Sequence, residues 1–289
     1  MTDLTQIQND HIRVGVSPLG AETQYLRDNQ NRDWLWHGDP TWWAGRSPIL
    51  FPIVGAAPDG QISIGAFTAP MNQHGFARRS KFALIAASET HCTHQLTDSA
   101  DTRAIYPFEF ALRLTHQIDG PTLSVTAEVE NHSNRAMPFG FGFHPAFAWP
   151  LPGANGTHEV QLDNQGEPAL YRINADGLLV DAPLPSPFHD GRLTLDPAQY
   201  ADDAMLFPAG AGTGLTLSAA GASLRFEWQG LPNFALWQKP GAPYICLEPW
   251  HGTAAIADQG PAMTDRPDTV TLGAGQTATF AYAVTISAK

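Results

Sequence analysis

Residues 108–129 read FEFALRLTHQIDGPTLSVTAEV and predict two strands joined by a tight turn. Apolar residues keep to even positions before the turn and to odd positions after it: Phe108, Phe110, Leu112, Leu114 and Ile118, then Leu123, Val125, Ala127 and Val129. A period of two is typical of a strand that buries one face. Between the two runs, Asp119-Gly120-Pro121 supplies residue types that form hairpin turns.

The same alternation recurs along the chain and favours an all-β protein. Further alternating runs begin at Ile12, Leu215, Leu224 and Phe280. Glycine (26 residues) and proline (24) are abundant, and both interrupt helices. One short helix is predicted over 196–204, where Asp196 suits an N-cap and Pro197 the first turn. We expect a single domain over residues 1–289, built as a large antiparallel two-layer β-sandwich with a cleft on one face or edge.

Charge and cysteine content exclude several classes of partner. The formal net charge is −12, and no run of Lys and Arg reaches five residues. This argues against nucleic acid and against an anionic membrane surface, because both need clustered positive charge. The two cysteines, Cys92 and Cys246, are too few for a disulfide framework and lack the spacing of metal ligands, so we expect no metal. With no signal-like start and no apolar stretch of 18 residues, we expect a cytoplasmic protein.

A carboxylate stands in an aromatic setting in YICLEPWHG, residues 244–252. The side chains of Tyr244, Cys246 and Glu248 would share one strand face, and Pro249 is expected to end the strand. Glu248 then lies beside Trp250, where an apolar wall raises the pKa of a carboxyl and nearby cations lower it. Glu248 is therefore a candidate general base. The alternative is a salt bridge at the end of a strand.

A histidine follows an aromatic row in FGFGFHPAF, residues 139–147. The phenylalanines would point to one side, and the glycines Gly140 and Gly142 would leave the other side bare for a ligand or another backbone. His144 falls on this glycine side, and Pro145 takes the chain out of the sheet. His144 is a candidate acid, with a structural strand-edge histidine as the alternative.

A third segment, NQHGFAR at residues 72–78, offers an imidazole and a guanidinium. His74 could hydrogen-bond a hydroxyl, and Arg78 could pair with a carboxylate. Taken alone, the segment is equally typical of an ordinary turn.

A histidine and a glutamate together suit the interconversion of sugar anomers. A base takes the proton of the C1 hydroxyl, an acid protonates the ring oxygen, and the ring opens, rotates about C1–C2 and closes on its other face. Glutamate as base and protonated histidine as acid fit this near neutral pH, and opposite charges close together favour both charged forms. Tryptophans near the motifs, Trp250 among them, could stack on the apolar face of a pyranose.

Together, the three segments resemble the aldose 1-epimerase (galactose mutarotase-like) family, and the forms HGFAR, HPAF and LEPW resemble its bacterial branch in particular. The motifs occur in the family's order. Two flanking segments extend the likeness over most of the chain. WAGRSPILFP at 43–52 looks like the family's early arginine segment, and YADDAMLF at 200–207 looks like the segment that supplies a sugar-binding aspartate.

The resemblance implies a β-supersandwich fold, no cofactor and a small-molecule sugar as substrate. It implies that His144 is the general acid at the ring oxygen and that Glu248 is the general base at the C1 hydroxyl. His74 would position or polarise the sugar. Arg46 and one aspartate, Asp203 or the adjacent Asp202, would bind hydroxyls.

Basic residues leave open whether the sugar is phosphorylated. Some relatives act on hexose 6-phosphates, where Arg78, Arg79 and Lys239 would meet the phosphate. Each of these residues is otherwise a solvated surface charge, and Arg78 could instead brace the site.

Two other classes of protein remain as alternatives. A cupin-like metal enzyme could use two histidines and a glutamate, but the motifs lack the usual closely spaced histidine pair. A sugar-binding module without catalysis would not need both His144 and Glu248. The chain is therefore expected to be an isomerase that acts on a free aldohexose.

Overall fold

The computed structural model of this chain describes residues 4–288, and strands make up about half of them. The strands are β1 (Thr5–Gln8), β2 (Ile12–Val16), β3 (Thr23–Asp28), β4 (Ile49–Leu50), β5 (Gln61–Ile64), β6 (Phe67–Pro70), β7 (Ala83–Ala87), β8 (His91–Thr97), β9 (Phe110–Asp119), β10 (Thr122–Asn131), β11 (Met137–Phe139), β12 (Phe141–Phe143), β13 (Ala146–Ala148), β14 (Asn155–Leu162), β15 (Leu170–Ile173), β16 (Leu179–Leu184), β17 (Arg192–Thr194), β18 (Met205–Pro208), β19 (Gly214–Ala220), β20 (Ala222–Gln229), β21 (Asn233–Trp237), β22 (Tyr244–His251), β23 (Val270–Leu272) and β24 (Thr277–Ala288).

Two large antiparallel sheets form the body of the protein. The first has nine strands in the order β17-β14-β19-β20-β24-β10-β9-β8-β7. The second follows the order β16-β15-β18-β21-β22-β12-β4, and β13 also pairs with β22. Smaller sheets are β1-β2-β3, β11-β23 and β5-β6. The expected all-β sandwich is confirmed.

Aromatic contacts show where the two sheets face each other. The rings of Phe141 and Phe280 stack with centroids 4.8 Å apart, and the ring of Phe143 meets that of Tyr282 edge-on at 4.9 Å. Because successive side chains of a strand point to opposite faces, β12 sends its phenylalanines into this core and keeps Gly142 on the outer face. The outer face of the eight-stranded sheet does not pack against the nine-stranded sheet and is therefore available for a functional site.

The hairpin that the opening segment predicted is confirmed. Asp119 pairs with Thr122, so the loop between β9 and β10 consists of Gly120 and Pro121. Gly120 has φ of +51°, a conformation that glycine adopts without steric cost. The first strand begins at Phe110 rather than Phe108.

Helices are short in the described chain. Of the N-terminal caps discussed below, the sequence analysis predicted that of Asp196 and missed that of Ser99. The 3₁₀ turns span Pro58–Gly60, Ala77–Arg79, Pro197–Tyr200 and Met263–Asp265. The predicted helix over 196–204 is reduced to the third of these turns, capped by the Asp196 side chain. An α-helix that was not predicted, α1 (Ala100–Ile105), starts from a capping box between Ser99 and Thr102.

Candidate active site

The outer face of the eight-stranded sheet holds Glu248 from the segment 244–252 and His144 from the segment 139–147. On β22, the side chains of Ile245 and Leu247 lie in the main core, whereas Tyr244 and Cys246 belong to a separate apolar cluster on the other face. Glu248 follows in the same alternation, as the sequence predicted. Its carboxyl group is 1% exposed.

Strand register brings His144 opposite Glu248. Gly142 on β12 pairs with Trp250, and Ala146 on β13 pairs with Cys246. The register is the same on both sides of the break between β12 and β13, so the residue within that break, His144, faces Glu248. The distance from His144 Nε2 to Glu248 Oε2 is 3.2 Å. This is hydrogen-bonding distance for two groups far apart in the sequence.

Pro249 does not end its strand, contrary to the sequence-based expectation. β22 continues to His251, and Pro249 lies opposite Phe234 of β21. A proline lacks the N–H that a ladder requires, so it is tolerated in a sheet where no neighbour needs that donor. On the other side, the same register places Pro249 opposite Phe143 of β12, beyond the last pair of that ladder, Gly142 with Trp250, so the pairing with β12 has ended there.

Burial controls the protonation of the His144–Glu248 pair. Loss of solvation lowers the pKa of His144 to about 3 and raises the pKa of Glu248 well above its usual value. The neighbouring Asp203 raises the pKa of Glu248 further. These directions correct the expectation that each group would hold the other in its charged form. Desolvation outweighs the mutual attraction, so a single proton shared by the pair favours the neutral state.

His74 is fixed in one tautomer beside the pair. The backbone N–H of Gly55 donates to Nδ1 of His74 at 3.0 Å. Burial, with the nearby His144 and Arg78, lowers the pKa of His74 well below its ordinary value. A neutral imidazole that accepts at Nδ1 carries its proton on Nε2. The ring stands perpendicular to that of His144 at 5.8 Å, so His74 offers a neutral N–H donor.

Aromatic rings wall the site. The Trp43 ring stacks on the His144 imidazole at 4.9 Å with an interplanar angle of 28°, and Trp237 meets the same imidazole edge-on at 5.7 Å. Trp250 packs over Gly142, where a Cβ atom would come within 2.5 Å of the Trp250 Cδ1. The bare glycine face therefore admits a tryptophan rather than a ligand or another backbone.

A cavity of about 310 Å³ opens over these residues, within the range of small-molecule sites. Its lining includes His74, His144, Glu248, Trp43, Trp237, Trp250, Gln73, Arg78 and Asp203. The structure thus brings together six of the eight site residues that the sequence proposed. Of the two adjacent aspartates, Asp203 belongs to the lining and Asp202 does not.

Two of the proposed residues lie outside the cavity lining. The Arg46 guanidinium donates from Nε to the His37 carbonyl at 2.8 Å and from NH1 to the Gln24 side chain. Lys239 is exposed, and its backbone N–H donates to the Tyr244 hydroxyl. The part of Arg46 and Lys239 in sugar binding stays a prediction.

A buried arginine that the sequence did not single out holds the cavity wall. Arg266 is 7% exposed, and its guanidinium donates to the carbonyl oxygens of Val54, Ala56 and Thr253. Gly55, whose N–H orients His74, lies between two of these carbonyls. Burial lowers the pKa of Arg266 to about 10, which still leaves it protonated at neutral pH. In sequence, an arginine between Asp265 and Pro267 looks like a surface turn, so no local signal marks it.

Comparison with known proteins gives a consistent likeness. The aldose 1-epimerase family profile matches residues 3–186. The plasmid protein LacX of Lactococcus lactis subsp. lactis is 27% identical over 294 residues, which cover 97% of this chain and 98% of LacX. A galactose mutarotase-like protein from Lactobacillus casei superposes with a TM-score of 0.92 at 28% identity and covers 99% of this chain and 100% of its own. A galactose mutarotase related enzyme from Lactobacillus acidophilus, at 24% identity and a TM-score of 0.89, covers 99% and 98% and supports the fold.

Proposed function

Because this chain belongs to the aldose 1-epimerase family, we propose that it interconverts the α and β anomers of a free aldohexose, as a single catalytic domain. The observation that carries the proposal is the 3.2 Å separation of His144 Nε2 and Glu248 Oε2 in the wall of the cavity. The ring oxygen and the C1 hydroxyl oxygen of a pyranose are bonded to the same carbon. Two groups this close together can therefore reach both oxygens of one bound sugar.

The number of protons on the pair matches what the reaction requires. Opening the ring requires that one proton leave the C1 hydroxyl and that one proton arrive at the ring oxygen. A pair that holds one proton does both: Glu248 accepts from the hydroxyl while His144 donates to the ring oxygen, and the bond between C1 and the ring oxygen breaks to give the open-chain aldehyde. Rotation about C1–C2 and the reverse transfers close the ring on its other face.

A bound sugar also moves the shared proton to the reactive arrangement. Burial by itself favours the neutral pair. A C1 hydroxyl that hydrogen-bonds the Glu248 carboxylate favours its charged form, and the proton then resides on His144. The neutral His74 adds an N–H donor for a developing charge on the ring oxygen. Asp203 accepts from sugar hydroxyls at the cavity mouth, where its side chain is exposed.

NMR exchange spectroscopy across a panel of free aldohexoses and their 6-phosphates tests the proposal. We expect faster exchange between α and β anomers for at least one free aldohexose and little effect on the phosphates. Arg78 is the only Arg or Lys in the cavity lining of the described residues, and its NH2 group already donates to the Gln73 carbonyl at 2.7 Å. Acceleration only with 6-phosphates would favour the phosphate reading, and binding of a sugar without acceleration would favour a binding protein.

The pH dependence of kcat/KM should show a broad plateau over neutral pH. On the acid side, activity falls as the pair takes up a second proton, because burial lowers the pKa of His144 to about 3 and raises the pKa of Glu248. On the alkaline side, activity falls as Glu248 loses its proton at a raised pKa and the pair has none left to donate. Measurement of NMR exchange rates between pH 4 and 10 checks this. A single acidic limb near pH 6.5, the value of an ordinary histidine, would contradict it.

A further inference from the structure

A second cluster of potential metal ligands lies in the nine-stranded sheet. Cys92 on β8 pairs directly with His116 on β9, and His94 follows Cys92 on the same face of β8. Cys92, His94 and His116 are all at most 1% exposed. Each offers one ligand atom, and the three atoms lie within 4.8 Å of one another. None of the three residues belongs to the lining of the catalytic cavity.

Two buried ring nitrogens in this cluster lack hydrogen-bond partners in the described part of the chain, which lowers the stability of the fold. Nδ1 of His94 and Nδ1 of His116 are buried and have no hydrogen-bond partner among the described residues. A buried polar atom without a partner costs about 1–3 kcal/mol. Buried polar groups in native proteins are almost always satisfied, so two unpaired nitrogens beside a thiol call for an explanation.

Thr5 orients one of the ligands in the way that metal sites do. The Thr5 hydroxyl contacts Nε2 of His94 at 3.2 Å. A proton on Nε2 donated to this hydroxyl leaves the lone pair of Nδ1 free. Metal-bound histidines almost always donate their second ring N–H to such an outer partner. Thr5 is half-buried on β1, next to β8, so the cluster lies near a surface route for an ion.

We propose that Cys92, His94 and His116 bind a thiophilic transition-metal ion, Zn²⁺ or copper, at a structural site separate from the catalytic cavity. One thiolate and two imidazoles suit zinc, and a trigonal set of this kind also suits copper. Bond lengths of about 2.0–2.3 Å require the ligand atoms to move closer by side-chain rotation. On binding, Cys92 releases its thiol proton to solvent, and the two unpaired nitrogens gain a partner.

The sequence did not indicate this site, because its ligands lack the spacing of known motifs. Cys92 and His94 are two residues apart, but His116 joins them only through strand pairing. A metal found in the purified protein therefore does not by itself favour a cupin-like catalytic centre. Its location must be determined.

Titration of tag-free, chelator-treated protein with Co²⁺ tests the site. We expect one equivalent to bind and to give a near-ultraviolet thiolate-to-cobalt charge-transfer band. The band should disappear in Cys92→Ala and persist in Cys246→Ala. This control is matched, because Cys246 is the other free, buried cysteine and forms a second potential cluster with His144 and Glu248. Displacement of cobalt by Zn²⁺ or Cu⁺ in separate titrations identifies the preferred ion.

A substitution of Thr5, the hydrogen-bond partner of His94, tests the site even if Cys92→Ala fails to fold. Thr5→Val keeps all three ligands and should weaken Co²⁺ affinity about 10- to 100-fold. One equivalent of Zn²⁺ should raise Tm of the wild type and of Cys246→Ala but not of Cys92→Ala. The proposal is overturned if no stoichiometric charge-transfer band forms, or if the band depends on Cys246 and not on Cys92.

Discussion

Glu248→Gln is expected to lower kcat/KM for anomer exchange by about 10²- to 10⁴-fold, the contribution typical of general acid–base catalysis. Glutamine keeps the size of the side chain and a hydrogen bond to His144, so the cavity keeps its shape. It cannot take the C1 hydroxyl proton. NMR exchange rates at sugar concentrations above and below KM would show the loss mainly in kcat, because the affected interaction belongs to proton transfer and not to binding.

Glu89→Gln is the matched control, since Glu89 is exposed on the hairpin between β7 and β8 and lies outside the cavity lining. Its activity should equal that of the wild type. If Glu248→Gln retained more than a tenth of the wild-type kcat/KM, Glu248 would not be the base. A His144→Gln variant should show a comparable loss, because the two residues act on one shared proton.

Arg266→Met should lower the free energy of unfolding by about 3 kcal/mol or more. The substitution removes a donor to three carbonyl oxygens. The Ala56 carbonyl still accepts from the Ala255 N–H, but those of Val54 and Thr253 lose their partner, and each buried acceptor left without one costs about 1–3 kcal/mol. Methionine fills much of the same volume, so the loss reports hydrogen bonding more than packing. Urea unfolding followed by tryptophan fluorescence measures the change.

Arg135→Met provides the comparison on the surface. Its exposed guanidinium donates to a single carbonyl, that of Pro107, so the expected loss is below about 1 kcal/mol.

Arg266→Met should also disturb His74, because the carbonyls that Arg266 holds flank Gly55. The ¹⁵N shifts of the His74 ring would then show loss of the single tautomer with the proton on Nε2. An unchanged stability would mean that water satisfies the carbonyls of Val54 and Thr253.

Where apolar residues alternate clearly, the local pattern was enough to assign a strand and the faces of its side chains. The alternation in residues 139–147 and 244–252 placed the phenylalanines in the core. It put His144 and Glu248 on the strand faces that point away from that core. This works because the side-chain period of two follows from backbone geometry alone. The expectation that Pro249 ends its strand failed for a different reason: it assumed that a neighbouring strand would need the missing N–H of the proline, but the pairing with β12 has already ended there.

Capping signals predicted helices less well than alternation predicted strands, because a cap involves only a few residues and does not decide whether a helix continues. Asp196 caps a turn as predicted, but no apolar face follows to bury, so the turn ends at Tyr200. The helix Ala100–Ile105 contains no buried residue, and its sequence therefore showed no apolar period.

Sequence by itself determined the strands with clear alternation, such as β9, β10 and β24, the outward face of His144 and Glu248, and the motif order that resembles the aldose 1-epimerase family. Only the tertiary structure decided that the two residues stand 3.2 Å apart, that burial neutralises them, and that Asp203 lines the cavity while Arg46 and Lys239 do not. It also decided that Cys92 and His116 meet across a strand pair. The physical reason is that side-chain direction is set by neighbouring backbone dihedrals, whereas distance and desolvation depend on segments that meet only when the sheets pair and pack.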